Sequence, residues 1–210
     1  MDWRSWHDGY DQPESGLSRR LEVVQQQVRA ALDHSPAGEL RVISLCAGQG
    51  RDLLDVLSDH PRRADVHARL VELDPELSGF AAGRARGLGL DQVEVVTGDA
   101  SRTEQYDGMV PADLVLACGI FGNISNEDIE RTIAASRQFC RTGAPLIWTR
   151  HRGEPDLVPQ ICEWFETHGF ERVWVSDPDA GFGVGAHRYV GEPQPLVPGQ
   201  SLFSFVPGGV

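Results

Sequence analysis

A chain of 210 residues, 40% hydrophobic and 24% charged, is long enough for one sizeable core and short of two full domains. Its formal net charge of −12 argues against nucleic-acid partners, whose phosphates call for clustered basic residues. All 19 basic residues are arginine, which removes any Schiff-base or P-loop lysine, and no window approaches the ~20 apolar residues of a membrane span.

The opening MDWRSWHDGYDQPE lacks the basic start and apolar core of a signal peptide, so a cytoplasmic location is expected. Its Trp3, Trp6, His7 and Tyr10 read as an aromatic lid or interface. Leu17, Leu21, Val24, Val28 and Leu32 then recur at helical spacing, predicting a helix over 17–33. Residues 1–38 thus form an N-terminal segment and helix. RVISLC (41–46) is short and nearly continuously apolar, which suits a buried parallel strand. A helix at 51–59, a strand at 64–73, a helix opened by Pro75, and strands at 92–98 and 112–120 continue the alternation. Ser125 with Asp128 resembles a capping box opening a helix over 126–140. A fifth strand (144–150) and a helix from Asp156 to Gly169 follow. Strands at 170–176 and 182–190, separated by the turn-rich DPDAG, close the pattern as a hairpin.

The expected fold is therefore α/β: a Rossmann-like, doubly wound, mostly parallel seven-stranded sheet with a C-terminal antiparallel hairpin, a core domain over 39–190. The Pro- and Gly-rich tail, 191–210, reads as an edge extension or partly disordered. Cys46, Cys118, Cys140 and Cys162 lie far apart in apolar segments and predict buried thiols, with no metal site expected.

Three strand ends carry the chemistry. Ligands of such sheets bind beyond the carboxyl ends of the strands, at the switch point beside the first one. Gly48 and Gly50 fall there, able to take positive φ and bring backbone N–H groups close to a ligand. The dinucleotide fingerprint G-x-G-x-x-G wants a third small residue for close helix–strand packing, and Leu53 occupies that place. Glu72, at the end of the second strand, is placed to accept hydrogen bonds from both hydroxyls of a ribose, with Leu73 able to press on a nucleobase and Asp74 capping the next helix. Asp99, in the turn GDAS, could serve an adenine amino group or be a solvated turn residue.

With these residues the chain resembles the class I S-adenosylmethionine-dependent methyltransferases. LCAGQGRDLL looks like their glycine-rich motif, VELDPEL like their acidic second-strand motif, GDAS like their third-strand turn and ADLVLACGIFGNIS like their fourth-strand motif. The resemblance spans roughly residues 40–190. It implies S-adenosyl-L-methionine as cofactor, with S-adenosyl-L-homocysteine as product. It further implies that Ala47, Gly48 and Gly50 approach the methionine part, Glu72 and Leu73 the ribose and base, Asp99 and Ala100 the adenine, and Cys118 and Gly119 the methyl group. Tyr10 would fold over the methionine moiety. One departure is Cys46, where many members carry an acidic residue just before the glycine turn.

On the acceptor side, Phe121 and Asn123 lie in the loop after the fourth strand, and Arg150 and His151 follow the fifth. His151 could take a proton from an oxygen or nitrogen nucleophile, Asn123 could assist or only support the turn, and Phe121 and Arg150 would contact substrate, the arginine through a carboxylate. The loop lacks the N/D-P-P-Y/F type of motif of enzymes that methylate amino groups of DNA. The function expected is methyl transfer to O or N of a small molecule, without nucleic-acid or membrane partners and with a homodimer left open. The rivals are a cofactor-binding module without methyl-transfer activity and an NAD-dependent oxidoreductase.

Overall fold

The computed structural model describes residue 12 and residues 15–206. Helix α1 (Gly16–His34) is capped by Ser15, whose Oγ accepts from the Ser18 N–H at 3.0 Å, and it buries the stripe Val24, Val28 and Leu32. Seven strands follow: β1 (Leu40–Leu45), β2 (Val66–Glu72), β3 (Val93–Thr97), β4 (Leu114–Ala117), β5 (Pro145–His151), β6 (Phe170–Val175) and β7 (Phe182–Tyr189). They form one sheet in the order β3-β2-β1-β4-β5-β7-β6. The first five are mutually parallel, and β7 runs antiparallel between β5 and β6.

Continuous apolar runs in β1 and β4 are possible because both faces are covered. Helices α1, α2 (Arg51–Leu57) and α3 (Pro75–Gly87) bury Val28, Leu53, Leu57 and Ala81 against one face. Helices α4 (Asn126–Ala135) and α5 (Val158–Thr167) bury Ile129, Ile133, Ile161 and Phe165 against the other. On that second face the indole of Trp148 lies over Gly185, its partner in register across β5 and β7, where a Cβ would have no room. The Trp148 Nε1–H donates to His187 Nδ1 at 3.0 Å, and the imidazole stacks on Phe165 with centroids 4.5 Å apart. Burial pushes the His187 pKa down to about 3, so the ring is neutral.

Two expectations change. The helix expected over 126–140 ends at Ala135 and tightens into a 3₁₀ turn at 136–138, where the Ser136 hydroxyl bonds back to the Thr132 carbonyl at 2.8 Å. The tail, expected as an edge extension or partly disordered, is ordered against the core through Val206. Leu202 and Phe203 are buried, the Leu202 N–H donates to Ser101 O at 2.8 Å, and the Ser204 N–H donates to Asp128 Oδ2 at 2.8 Å. Proline and glycine here set an irregular path whose backbone groups are satisfied by the core's own loops. The tail acts as a strap across the carboxyl ends of the parallel strands.

Candidate functional site

Beyond β1 the backbone enters the left-handed region three times within five residues, at Cys46 (φ 51°), Gly48 (φ 56°) and Gly50 (φ 70°). Such a path aims successive N–H groups into the space above the strand. Gly50 then starts α2, and a Cβ on it would lie 2.8 Å from Leu54 Cδ1 and 2.9 Å from Leu70 Cδ2. The close helix–strand approach that a dinucleotide fingerprint assigns to its third glycine is met here by the second, and Leu53 is free to be core. Cys46 takes a conformation that glycine usually supplies, and it is packed against the apolar core while also lining the cavity.

Glu72 fastens this turn to its neighbour. Its Oε2 accepts from the Gly48 N–H at 2.7 Å and its Oε1 from the Asp74 N–H at 2.9 Å. Asp74 in turn caps α3, accepting from the Glu76 N–H at 2.8 Å. A cavity of about 340 Å³ opens beside the pair, within the size range of small-molecule sites. Its walls come from the glycine turn, the first turn of α2 with Asp52, the β2–α3 turn, Cys118 and Gly119 after β4, Thr149 on β5, one face of α1, and Phe205 of the strap. Thr149 Oγ1 accepts from the Gly119 N–H at 2.8 Å, which fixes the β4 end against β5.

The site's electrostatics are acidic and its thiols are quiet. Burial, then the charges of Glu72 and Asp99, push the Cys46 thiol well up, while burial and Asp52 do the same to Cys118. Both are held as neutral thiols and are poor nucleophiles. Asp52 is 8% exposed, and burial raises its carboxyl to about 6.

No family model matches the sequence. In sequence it is 26% identical over 157 residues to the uncharacterized protein YnbC of Escherichia coli (strain K12), an alignment covering 74% of this chain. The chain spans about a quarter of that relative's length, 26%. Among solved structures it superposes on an O-methyltransferase family protein from Burkholderia thailandensis with a TM-score of 0.66 and 17% identity, covering 90% of this chain and 61% of that one. It also superposes on the 1,6-didemethyltoxoflavin-N1-methyltransferase of Burkholderia thailandensis, solved with 1,6-didemethyltoxoflavin and S-adenosylhomocysteine, with a TM-score of 0.65, 18% identity and coverage of 90% and 85%. The chain has the class I methyltransferase fold.

In this methyltransferase fold the cofactor-side expectations converge in part. Ala47, Gly48, Glu72, Leu73, Cys118 and Gly119 line one cavity, with Leu73 64% exposed. Gly50 serves packing instead of the cavity wall. Asp99 is exposed and its Oδ1 accepts from the Ser101 N–H at 2.9 Å, while its charge reaches Cys46. Ala100 is buried, and its carbonyl accepts from the Tyr106 hydroxyl at 2.7 Å. Tyr10 lies outside the described residues.

The acceptor-side expectations need correction. Phe121, expected against substrate, is core: it is 1% exposed, with its ring 6.0 Å from Trp148. Arg150, expected to meet a substrate carboxylate, is 2% exposed beneath the β4 loop and donates from Nη1 to Phe121 O at 2.5 Å. Strand alternation decides both the Arg150 placement and that of Thr149, which faces the cavity in its stead. Asn123 donates from Nδ2 to Gly119 O at 2.9 Å and braces the loop. His151 is half-buried, and its Nδ1 accepts from the Gly153 N–H at 3.0 Å, outside the cavity wall.

Arg20, Leu21, Thr149 and Phe205 line the cavity without belonging to any motif, and Asp52 lines it from inside the glycine-rich motif, where the resemblance gives it no role. Asp52 carried one usable signal: an acid two residues past the second glycine of the turn, followed by two leucines that a buried helix face requires.

Proposed function

We propose that the chain binds S-adenosylmethionine in the cavity beside β1, β2 and β4, and that it transfers the methyl group to an oxygen or nitrogen of a small molecule. The observation that carries this reading is Glu72, whose carboxylate joins the glycine turn to the β2–α3 turn at the wall of a cavity at the sheet's switch point. Each Glu72 oxygen accepts one backbone N–H and keeps a second lone pair, so ribose hydroxyls can be received without breaking either bond. Leu73 offers an exposed apolar surface for a purine face. The group fits the residues present.

When bound, S-adenosylmethionine supplies an already activated methyl group. The chain's contribution is then alignment and exclusion of water. Thr149 and Asn123 hold the Gly119 segment from both sides, Phe205 covers part of the cavity, and the neutral Cys46 and Cys118 thiols do not compete as acceptors. The net charge of −12 favours a small acceptor over a polyanion.

Calorimetric titration with S-adenosylmethionine and S-adenosylhomocysteine is expected to show one site per chain, and fluorescence titration with NADH to show none. Binding of NADH alone would restore the oxidoreductase reading. A second reading, a cofactor-binding module without transfer, is favoured by the positions of Phe121, Arg150 and His151 away from the cavity wall. Cofactor binding without turnover across a broad acceptor screen with methyl-labelled cofactor would decide for it.

A further inference from the structure

Asp52 is the second residue of α2 and lines the cavity at 8% exposure. Its Oδ1 accepts from the Leu53 N–H at 3.0 Å, and among the described residues no arginine or histidine forms an ion pair with it. Among the described residues the charged and titratable groups near it are these. On its own helix, Asp55 pairs with Arg84 at 2.6 Å, and Arg51 Nε donates to Gln49 Oε1 at 2.6 Å. Arg20 faces the cavity from α1, Cys118 from β4, and Cys46, Glu72 and Asp74 from the β1 and β2 ends. A carboxylate taken out of water with no counter-ion is expensive to keep charged. Here it borders a cavity wide enough for a ligand to bring the missing charge.

Resting on the proposed cofactor, we infer that Asp52 is the counter-ion of the α-ammonium on the ligand's amino-acid end. The assignment has a proton consequence. Asp52 in the free chain titrates at about 6, and only its ionised form can hold an ammonium. Ligands with that ammonium therefore bind about tenfold more weakly at pH 5 than at pH 7, with little change above pH 7. Ligands without it do not respond.

The test is calorimetry on the full chain with two probes, S-adenosylhomocysteine and 5′-methylthioadenosine. The first has a neutral sulfur and keeps the amino-acid end; the second lacks that end. Asp52→Asn is expected to weaken S-adenosylhomocysteine at least tenfold at pH 7, leave 5′-methylthioadenosine within about twofold, and remove the pH 5–7 slope. Equal losses for both probes, unchanged S-adenosylhomocysteine affinity, or a slope that persists in Asp52→Asn each overturn the assignment. Those results leave the cofactor reading standing if the unsubstituted chain binds the probes. Failure of the unsubstituted chain to bind either probe removes the cofactor reading and this inference with it.

Discussion

The β1–β2 rim of the cleft and the β4–β5 rim are held together by different means. On the first, Gly48, Glu72 and Asp74 follow one another through a single βαβ unit, and one carboxylate accepts from both turns. On the second, Gly119 is held by Thr149 from the next strand and by Asn123 from its own loop. Arg150 supports that loop from below, and the strap crosses it where the Val206 N–H donates to Asn123 O at 2.9 Å. The first rim is thus contained within one βαβ unit. The second is assembled from distant segments, which leaves its chemistry open to variation without disturbing the first.

The largest expected effect breaks the first rim's scaffold. Gly50→Val combines a positive φ with a clash against Leu54 and Leu70, so chemical denaturation should show a loss of about 2–4 kcal/mol. A loss under about 1 kcal/mol would mean that the turn is not tightly held.

Glu72→Ala acts on the same rim through two routes. It should weaken S-adenosylhomocysteine by about 1–3 kcal/mol in calorimetry and, by leaving the Gly48 and Asp74 amides without their acceptor, lower stability by about 1–2 kcal/mol. Unchanged affinity would remove Glu72 from the site.

The acid side of the stability profile separates the two faces of the sheet. His187, held near pH 3 when folded against an ordinary value near 6.5, binds its proton only after unfolding. It contributes stability above about pH 6.5 that is lost as pH falls toward 3. Asp52, raised from 3.8 to about 6, works in the opposite sense: the folded chain takes the proton first, so stability rises as pH falls from about 6 toward 4. Asp52→Asn should therefore stabilise the free chain by about 1–3 kcal/mol at pH 7. Its loss of stability on acidification should then be steeper than that of the unsubstituted chain. Thermal denaturation from pH 4 to pH 8 measures both, and a variant less stable at pH 7 would contradict the assigned burial cost.

The smallest effect falls on the second rim. Phe205 is 43% exposed, so Phe205→Ala should cost under about 1 kcal/mol of stability. Amide exchange at Val206 should nonetheless quicken, since it is the strap's last bond to the β4 loop. Unaltered exchange would show that Leu202 and Phe203 hold the strap without it.

The contrast between rims also explains what could be read from the chain itself. The strand–helix alternation, the seven strands and the closing hairpin follow from apolar periodicity and turn residues. The Glu72 and Gly48 positions follow from their place at strand ends. The second rim was less legible because strand alternation, shifted by a single residue, sends Arg150 under the loop and Thr149 into the cavity. Phe121 could not be distinguished from a substrate contact, because an aromatic in a post-strand loop has no local mark of facing Trp148. The strap's composition suggested disorder, since the hydrogen bonds that order it come from Ser101, Asp128 and Asn123, remote in sequence. Cys46 looked like a missing acid; its φ of 51° makes it a residue in a glycine-like conformation.

A crystal structure of the chain with S-adenosylhomocysteine tests the central claim most directly. Density is expected in the cleft, with the purine on Leu73, the ribose hydroxyls at Glu72 and the amino group at Asp52. A ligand bound elsewhere, or one whose ribose does not reach Glu72, would contradict it.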